Sequence, residues 1–257
     1  MTQLRDGLEF QFGKAGMNKR RKRVGLPIIL TGFIPLSALN AINAYLNKNR
    51  SGSLTFGDNN QQVDLEIWIH TARRGFEMMG HVDVMFDGIS YSYGNFDMSS
   101  AKLFGAVGDG VLMTISAENY RQSIIADDWR AVFGYGLVLT PEEKAAVAAN
   151  LTHLLEEVQP FYLDTEDEEN SYLAGMIMRY GAKTYKFTGG HFKTYFVMTT
   201  NCVQLVDTIV ADAGLDILAT HGILTPGAYQ AYLDKEFDNP NSRVVTKTVL
   251  GRQQIKS

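Results

Sequence analysis

Leu65, Ile67 and Ile69 alternate with Glu66, Trp68 and His70, the period of two expected of a half-buried strand. Two further strand-like runs, 81–86 and 89–93, flank Asp87-Gly88, and an Asp-Gly pair in that position predicts a tight hairpin. Thr140-Pro141-Glu142-Glu143 predicts a helix start: Thr140 as N-cap, Pro141 in the first turn, Glu143 closing a capping box. Val147, Leu151, Leu154, Leu155 and Val158 supply its apolar stripe, and Pro160 is expected to end it. Residues 185–187 and 192–198 read as strands joined at Gly189-Gly190. Residues 202–213 read as a helix with Leu205, Val206, Ile209 and Val210 on one face. A last helix is expected from Thr225-Pro226-Gly227 to Phe237. Strands and helices in this order predict an α+β fold.

The N-terminal quarter has a different texture. Lys19-Arg20-Arg21-Lys22-Arg23 is followed at once by an apolar run, 24–46, that contains Ile28, Ile29, Leu30, Phe33, Ile34 and Leu36. A basic cluster before such a run is the pattern of an export signal or signal anchor, and the run approaches the ~20 residues a helix needs to cross a bilayer. Pro27, Pro35, Asn40 and Asn43 interrupt it, which keeps open an ordinary helix behind a solvated basic patch. Residues 47–62 are rich in Gly, Ser and Asn and read as a linker. The expected organisation is a basic segment with a membrane-directed helix at 1–46, a linker at 47–62 and a folded domain at 63–257. That domain would lie outside the cytoplasm, membrane-anchored or secreted.

Composition narrows the chemistry. Of 257 residues, 45% are hydrophobic and 20% charged, which is globular rather than disordered composition. The net charge of -4 gives no signal for nucleic acid, whose phosphates a negative chain repels. The acidic run 164–169 lacks EF-hand spacing and glycine, and reads as a solvated loop. Cys202 is the one cysteine, so an intrachain disulfide and paired-cysteine zinc sites are excluded. It sits where an extended segment turns into an apolar-striped helix. The unpaired N–H groups and dipole of a helix N-terminus favour an anion there and can hold an oxyanion. The same position suits a buried structural cysteine equally well. Among the five histidines, His81 follows Gly80 and opens a hairpin strand, which fixes the backbone and leaves the imidazole at the sheet edge, as a positioned base requires. His191 follows a turn and stands as a third ligand in an alternative zinc reading with His81 and Cys202, although HExxH spacing is absent. No cofactor is expected.

The segment from Gly80 to Gly88 (Gly-His-Val-Asp-Val-Met-Phe-Asp-Gly), followed by Tyr91-Ser92-Tyr93-Gly94, resembles the histidine hairpin of NlpC/P60-type, papain-like cysteine enzymes. Asn201-Cys202-Val203-Gln204-Leu205-Val206 resembles the nucleophile helix of their circularly permuted branch. In that branch, which includes the lecithin:retinol acyltransferase group, histidine precedes cysteine in the chain. Arg130, Leu137 and Leu139, then Thr140-Pro141-Glu142-Glu143, and later Thr225-Pro226-Gly227 with Tyr229, are similar to segments of an uncharacterised bacterial group of permuted domains. The resemblance spans about residues 64–237. It implies a small antiparallel sheet packed on the Cys202 helix, with extra helices inserted between base and nucleophile. It implies Cys202 as nucleophile and His81 as base, acting on an amide or ester carbonyl. The family's third polar residue stands on the strand after the base, where this chain has no histidine; Tyr93 and Asn95 are the candidates. An exported enzyme of this kind would cleave peptidoglycan peptides, with Arg73 and Arg74 at the rim holding substrate carboxylates. Lipid or protein acyl transfer, lipase activity and a noncatalytic surface-binding module on the same fold are the alternatives.

Overall fold

The computed structural model describes residues 9–11, 52–57, 61–71, 80–127, 131–163, 171–211 and 225–251. The basic cluster 19–23, the apolar run 24–46, Arg73, Arg74, Arg130 and the acidic run 164–169 lie outside them. In chain order the strands are β1 (Glu9–Gln11), β2 (Gly52–Gly57), β3 (Leu65–His70), β4 (His81–Phe86), β5 (Ile89–Gly94), β6 (Val107–Asp109) and β7 (Val111–Ser116). They continue with β8 (Val132–Leu137), β9 (Val158–Pro160), β10 (Lys183–Phe187), β11 (Thr194–Phe196) and β12 (Val244–Gly251). The helices are α1 (Ala117–Asp127), α2 (Pro141–Glu156), α3 (Tyr172–Tyr180), α4 (Cys202–Val210) and α5 (Pro226–Phe237).

Ten strands form one sheet in the order β1-β2-β12-β8-β3-β4-β5-β7-β10-β9, and β6 pairs with β11 in a small second sheet. Every neighbouring pair is antiparallel. The fold is therefore α+β, but the sheet is large where a small one was expected. The β4–β5 hairpin turns at Asp87 (φ 49°) and Gly88 (φ 74°), two left-handed residues in succession, which is the turn that matches strand twist.

Side-chain alternation gives the sheet two apolar faces. Ile67, Ile69, Val82, Val84, Tyr93 and Leu112 lie on one, beneath α2, α4 and α5. Trp68, Met85, Val111, Met113 and Val132 lie on the other, beneath α1 and α3. The α4 helix contributes Val203, Leu205, Val206, Ile209 and Val210, each 1% exposed or less. Full burial of each such side chain is worth roughly 1.5–3 kcal/mol, so this helix is held firmly against β4 and β5. On the opposite face Trp68 lies across Gly134, where an added Cβ would stand 2.7 Å from the indole.

Three boundaries differ from the sequence reading. Of the strand expected at 192–198 only Thr194–Phe196 is extended, after a turn of 3-10 helix at His191–Lys193, and it pairs with β6 rather than continuing from β10. Residues 52–57, within the stretch read as a linker, form β2, because Leu54 and Phe56 are buried while β12 satisfies the backbone. The α2 helix carries the expected capping box but stops at Glu156, and 158–160 pair with β10 as β9 rather than finishing the helix. Among the described residues no helix is long and apolar enough to cross a membrane, and the run expected to do so lies outside them.

Candidate active site

Cys202 is the first residue of α4. Asn201 caps it: its side-chain oxygen accepts from Val203 N–H (3.0 Å) and Gln204 N–H (3.2 Å), while its amide donates to the Val197 carbonyl (3.0 Å). The cap occupies the second and third N–H groups of the helix. That of Cys202 makes no hydrogen bond among the described residues. Such a donor beside a thiol is the arrangement an oxyanion needs. The thiol is free but only 4% exposed.

His81 is the first residue of β4. Alternation puts it with Asp83 on the α1 face of the sheet, opposite the face that carries α4. As the terminal residue of its strand it lies at the sheet end, where a side chain can meet both layers. Its Nε2 is 2.9 Å from Ser92 Oγ and 2.9 Å from Asp83 Oδ1. Asp83 Oδ1 receives no well-directed hydrogen bond, so the direction of the imidazole N–H favours the serine and the carboxylate acts on the ring chiefly by its charge. The Cys202 sulfur approaches the same ring closely enough to hydrogen-bond it and, as thiolate, to act on it by charge. Burial pulls the His81 pKa down; Asp83, then Cys202, more than offset this and hold it well above 6.5.

Asp83 is 1% exposed and serves a second histidine. His70, the cross-strand partner of His81, sets its Nε2 3.1 Å from Asp83 Oδ2 and 2.6 Å from the Tyr120 hydroxyl. Tyr120, from α1, donates its own O–H to the same carboxylate oxygen. Burial works against the Asp83 charge, yet His81 and His70 hold its carboxyl far below the usual carboxylate range. The result is a chain of contacts from Cys202 through His81 to Asp83, backed by His70 and Tyr120.

The structure brings together Cys202 and His81 but gives Tyr93 and Asn95 other work. Tyr93 is fully buried and donates to the Phe192 carbonyl at 2.9 Å. Burial, then Tyr195 and Cys202, push its pKa up, so it flanks the sulfur as a neutral phenol. Asn95 donates to the Gly105 and Val107 carbonyls at 3.3 and 3.4 Å and fastens a loop. Neither is the polar neighbour of the imidazole. Both alternate onto the face opposite Ser92, and Ser92 is the β5 residue that pairs across from Asp83. Tyr195, half-buried, is the second phenol near Cys202; burial and the thiol raise its pKa. His191 bonds Gln204 (2.8 Å), two residues beyond Cys202 on α4, and among the described residues no group of three or more His, Cys, Asp or Glu side chains is placed to hold a metal ion. The residues that sequence reasoning missed are Asp83, Ser92, His70 and Tyr120. Asp83 was within reach: it stands two positions after His81 on one strand, and the two-residue turn at Asp87-Gly88 fixes Ser92 opposite it.

Comparison of the chain with protein-family models, with curated proteins and with solved structures finds no match in any of the three.

Proposed function

We propose that Cys202, His81 and Asp83 form a nucleophilic site for acyl transfer, and that the protein is a cysteine hydrolase acting on an amide bond. The observation that carries the reading is the convergence of a helix N-terminal thiol and a charged-partner histidine separated by about 120 residues in sequence. Nε2 of His81 is occupied by Ser92 and Asp83, which leaves Nδ1; in the neutral ring, populated as pH rises through the raised His81 pKa, this nitrogen takes the thiol proton. The sulfur then attacks the carbonyl carbon. The Cys202 N–H holds the developing oxyanion, and the imidazolium returns its proton to the leaving amine. Water deprotonated by His81 releases the acyl group and restores the thiol. Asp83 is a positioning residue that stabilises the imidazolium formed in the first step.

The resemblance of residues 80–94 and 201–206 to permuted NlpC/P60 enzymes supports a papain-like ancestry and a cell-wall peptide as substrate, with Arg73 and Arg74 as carboxylate holders. Purified full-length protein incubated with peptidoglycan should release soluble peptides, and Cys202→Ala should abolish the release. Fatty acid release from phospholipid vesicles, with cell walls untouched, would move the assignment to the acyltransferase or lipase reading.

One observation favours a noncatalytic binding module: the 4% exposure of Cys202, which bars a carbonyl unless the neighbouring side chains move. An intact protein whose Cys202 resists iodoacetamide under native conditions would support that second reading against the first.

A further inference from the structure

The loop between β5 and β6 carries an exposed apolar tip. Lys102 N–H donates to the Val107 carbonyl (2.7 Å) and closes the loop; within it Gly105 N–H bonds the Lys102 carbonyl (3.0 Å) and Ala106 N–H bonds that of Leu103 (3.2 Å). Leu103 (φ 50°) and Phe104 (φ 56°) both adopt the left-handed conformation that residues with side chains rarely take. That conformation buries nothing: Leu103 is 71% exposed and Phe104 88%. On the flanking segments Met98 is 60% and Met198 58% exposed. The tip is fixed from below. Asn95 donates to the Gly105 carbonyl, and Val197 N–H bonds the Ala106 carbonyl (3.0 Å), which ties the tip to the segment that leads into Cys202.

Charge says what such a tip would meet. Residues 98–107 and 191–200 hold two lysines, Lys102 and Lys193, and no carboxylate, in a chain whose net charge is -4. Both lysines are exposed. The flanking Asp97 is buried, and Asp97 and Asp109 are both paired with Lys186, at 2.5 and 3.3 Å. An apolar turn with its backbone internally bonded, bordered by two exposed lysines and with its flanking carboxylates, buried Asp97 and exposed Asp109, both paired to Lys186, matches the interface of an anionic bilayer.

We propose that this loop is a membrane-docking tip, which inserts Leu103 and Phe104 among the acyl chains of an anionic lipid surface while Lys102 and Lys193 meet the headgroups. The proposal is independent of the chemistry assigned to Cys202.

The full chain with Phe104→Trp provides a position-specific probe. Its emission is read against that of the unsubstituted chain with vesicles of phosphatidylcholine and phosphatidylglycerol, with and without brominated phosphatidylcholine. The added emission should shift to the blue and be quenched by the brominated lipid. Leu103→Ser in the same chain should weaken the lipid dependence at least about fivefold, and raised salt should weaken it further. Vesicle binding of the chain with no change in the emission of the introduced indole would show attachment through another segment and overturn the proposal. A blue shift that grows with protein concentration in the absence of lipid would assign the tip to a second copy of the chain, and would overturn it as well.

Discussion

Asp83→Asn removes one charge from the centre of the site and keeps the shape. The substituted side chain still accepts the Tyr120 O–H, but it no longer faces two imidazoles with a negative charge. Two unit charges 4 Å apart attract by about 4 kcal/mol at the effective dielectric constant of about 20 that suits partly buried pairs. Removing one partner of a buried pair costs about 3–5 kcal/mol in measured cases. The His81 side chain is 25% exposed, which screens part of this, so the loss should be about 2–4 kcal/mol where His81 is charged. The pH dependence separates charge from shape. His81 has a raised pKa in the folded state, so its contribution is fully present below 6.5 and is lost as pH rises through its folded value. Asp83 has a depressed pKa, so its contribution is present above 3.8 and is lost only as pH falls through its folded value. Urea unfolding of the two proteins between about pH 5 and pH 9 should therefore show the largest gap on the acid side, shrinking to about 1 kcal/mol once His81 is neutral. A penalty that does not change across this range would refute the reasoning, because it would make Asp83 only a hydrogen-bond acceptor for Tyr120.

By proton NMR the His81 ring should titrate above 6.5; Asp83→Asn should lower its midpoint more than Cys202→Ala does, since the carboxylate acts on it more strongly than the thiol. Thr140→Ala should cost about 1 kcal/mol in thermal unfolding by opening the α2 capping box, with no change in the His81 titration. Asn95→Ala should leave that titration in place and loosen the loop it fastens, read as faster amide exchange at 105–107. Gly134→Ala should destabilise by about 1–3 kcal/mol in urea unfolding, because the new methyl meets the Trp68 ring at 2.7 Å.

Features set by near neighbours were legible in the sequence. The Asp87-Gly88 turn, the capping box at Thr140 and the apolar stripe after Cys202 each depend on residues a few positions apart, and all three stand where the pattern put them. Features set by distant pairing were not. Residues 52–57 contain only Leu54 and Phe56 to bury, and their polar neighbours gave the composition of a linker; β12, nearly 200 residues away, makes them a strand. Val158 continues the α2 stripe, yet Val158–Pro160 is drawn off as a strand by β10. In the site, Cys202 and His81 were visible from local context, one at a helix start and one at a strand start. The third polar group was sought on the following strand, where Tyr93 and Asn95 alternate to the wrong face, while the strand of His81 itself held Asp83. His70 and Tyr120 required the β3–β4 pairing and the seat of α1, which no local pattern specifies.

The central claim, that Cys202 is a nucleophile activated by His81, is tested most directly by acylation. Full-length protein is mixed with an activated ester such as p-nitrophenyl acetate, and the acyl group is located by mass spectrometry after proteolysis. The account predicts an acetyl group on Cys202, none after Cys202→Ala, and formation slowed by about 10²-fold or more after His81→Ala, the usual contribution of a positioned base. Acetylation of Cys202 at the same rate with and without His81, or none at Cys202 at all, would contradict it.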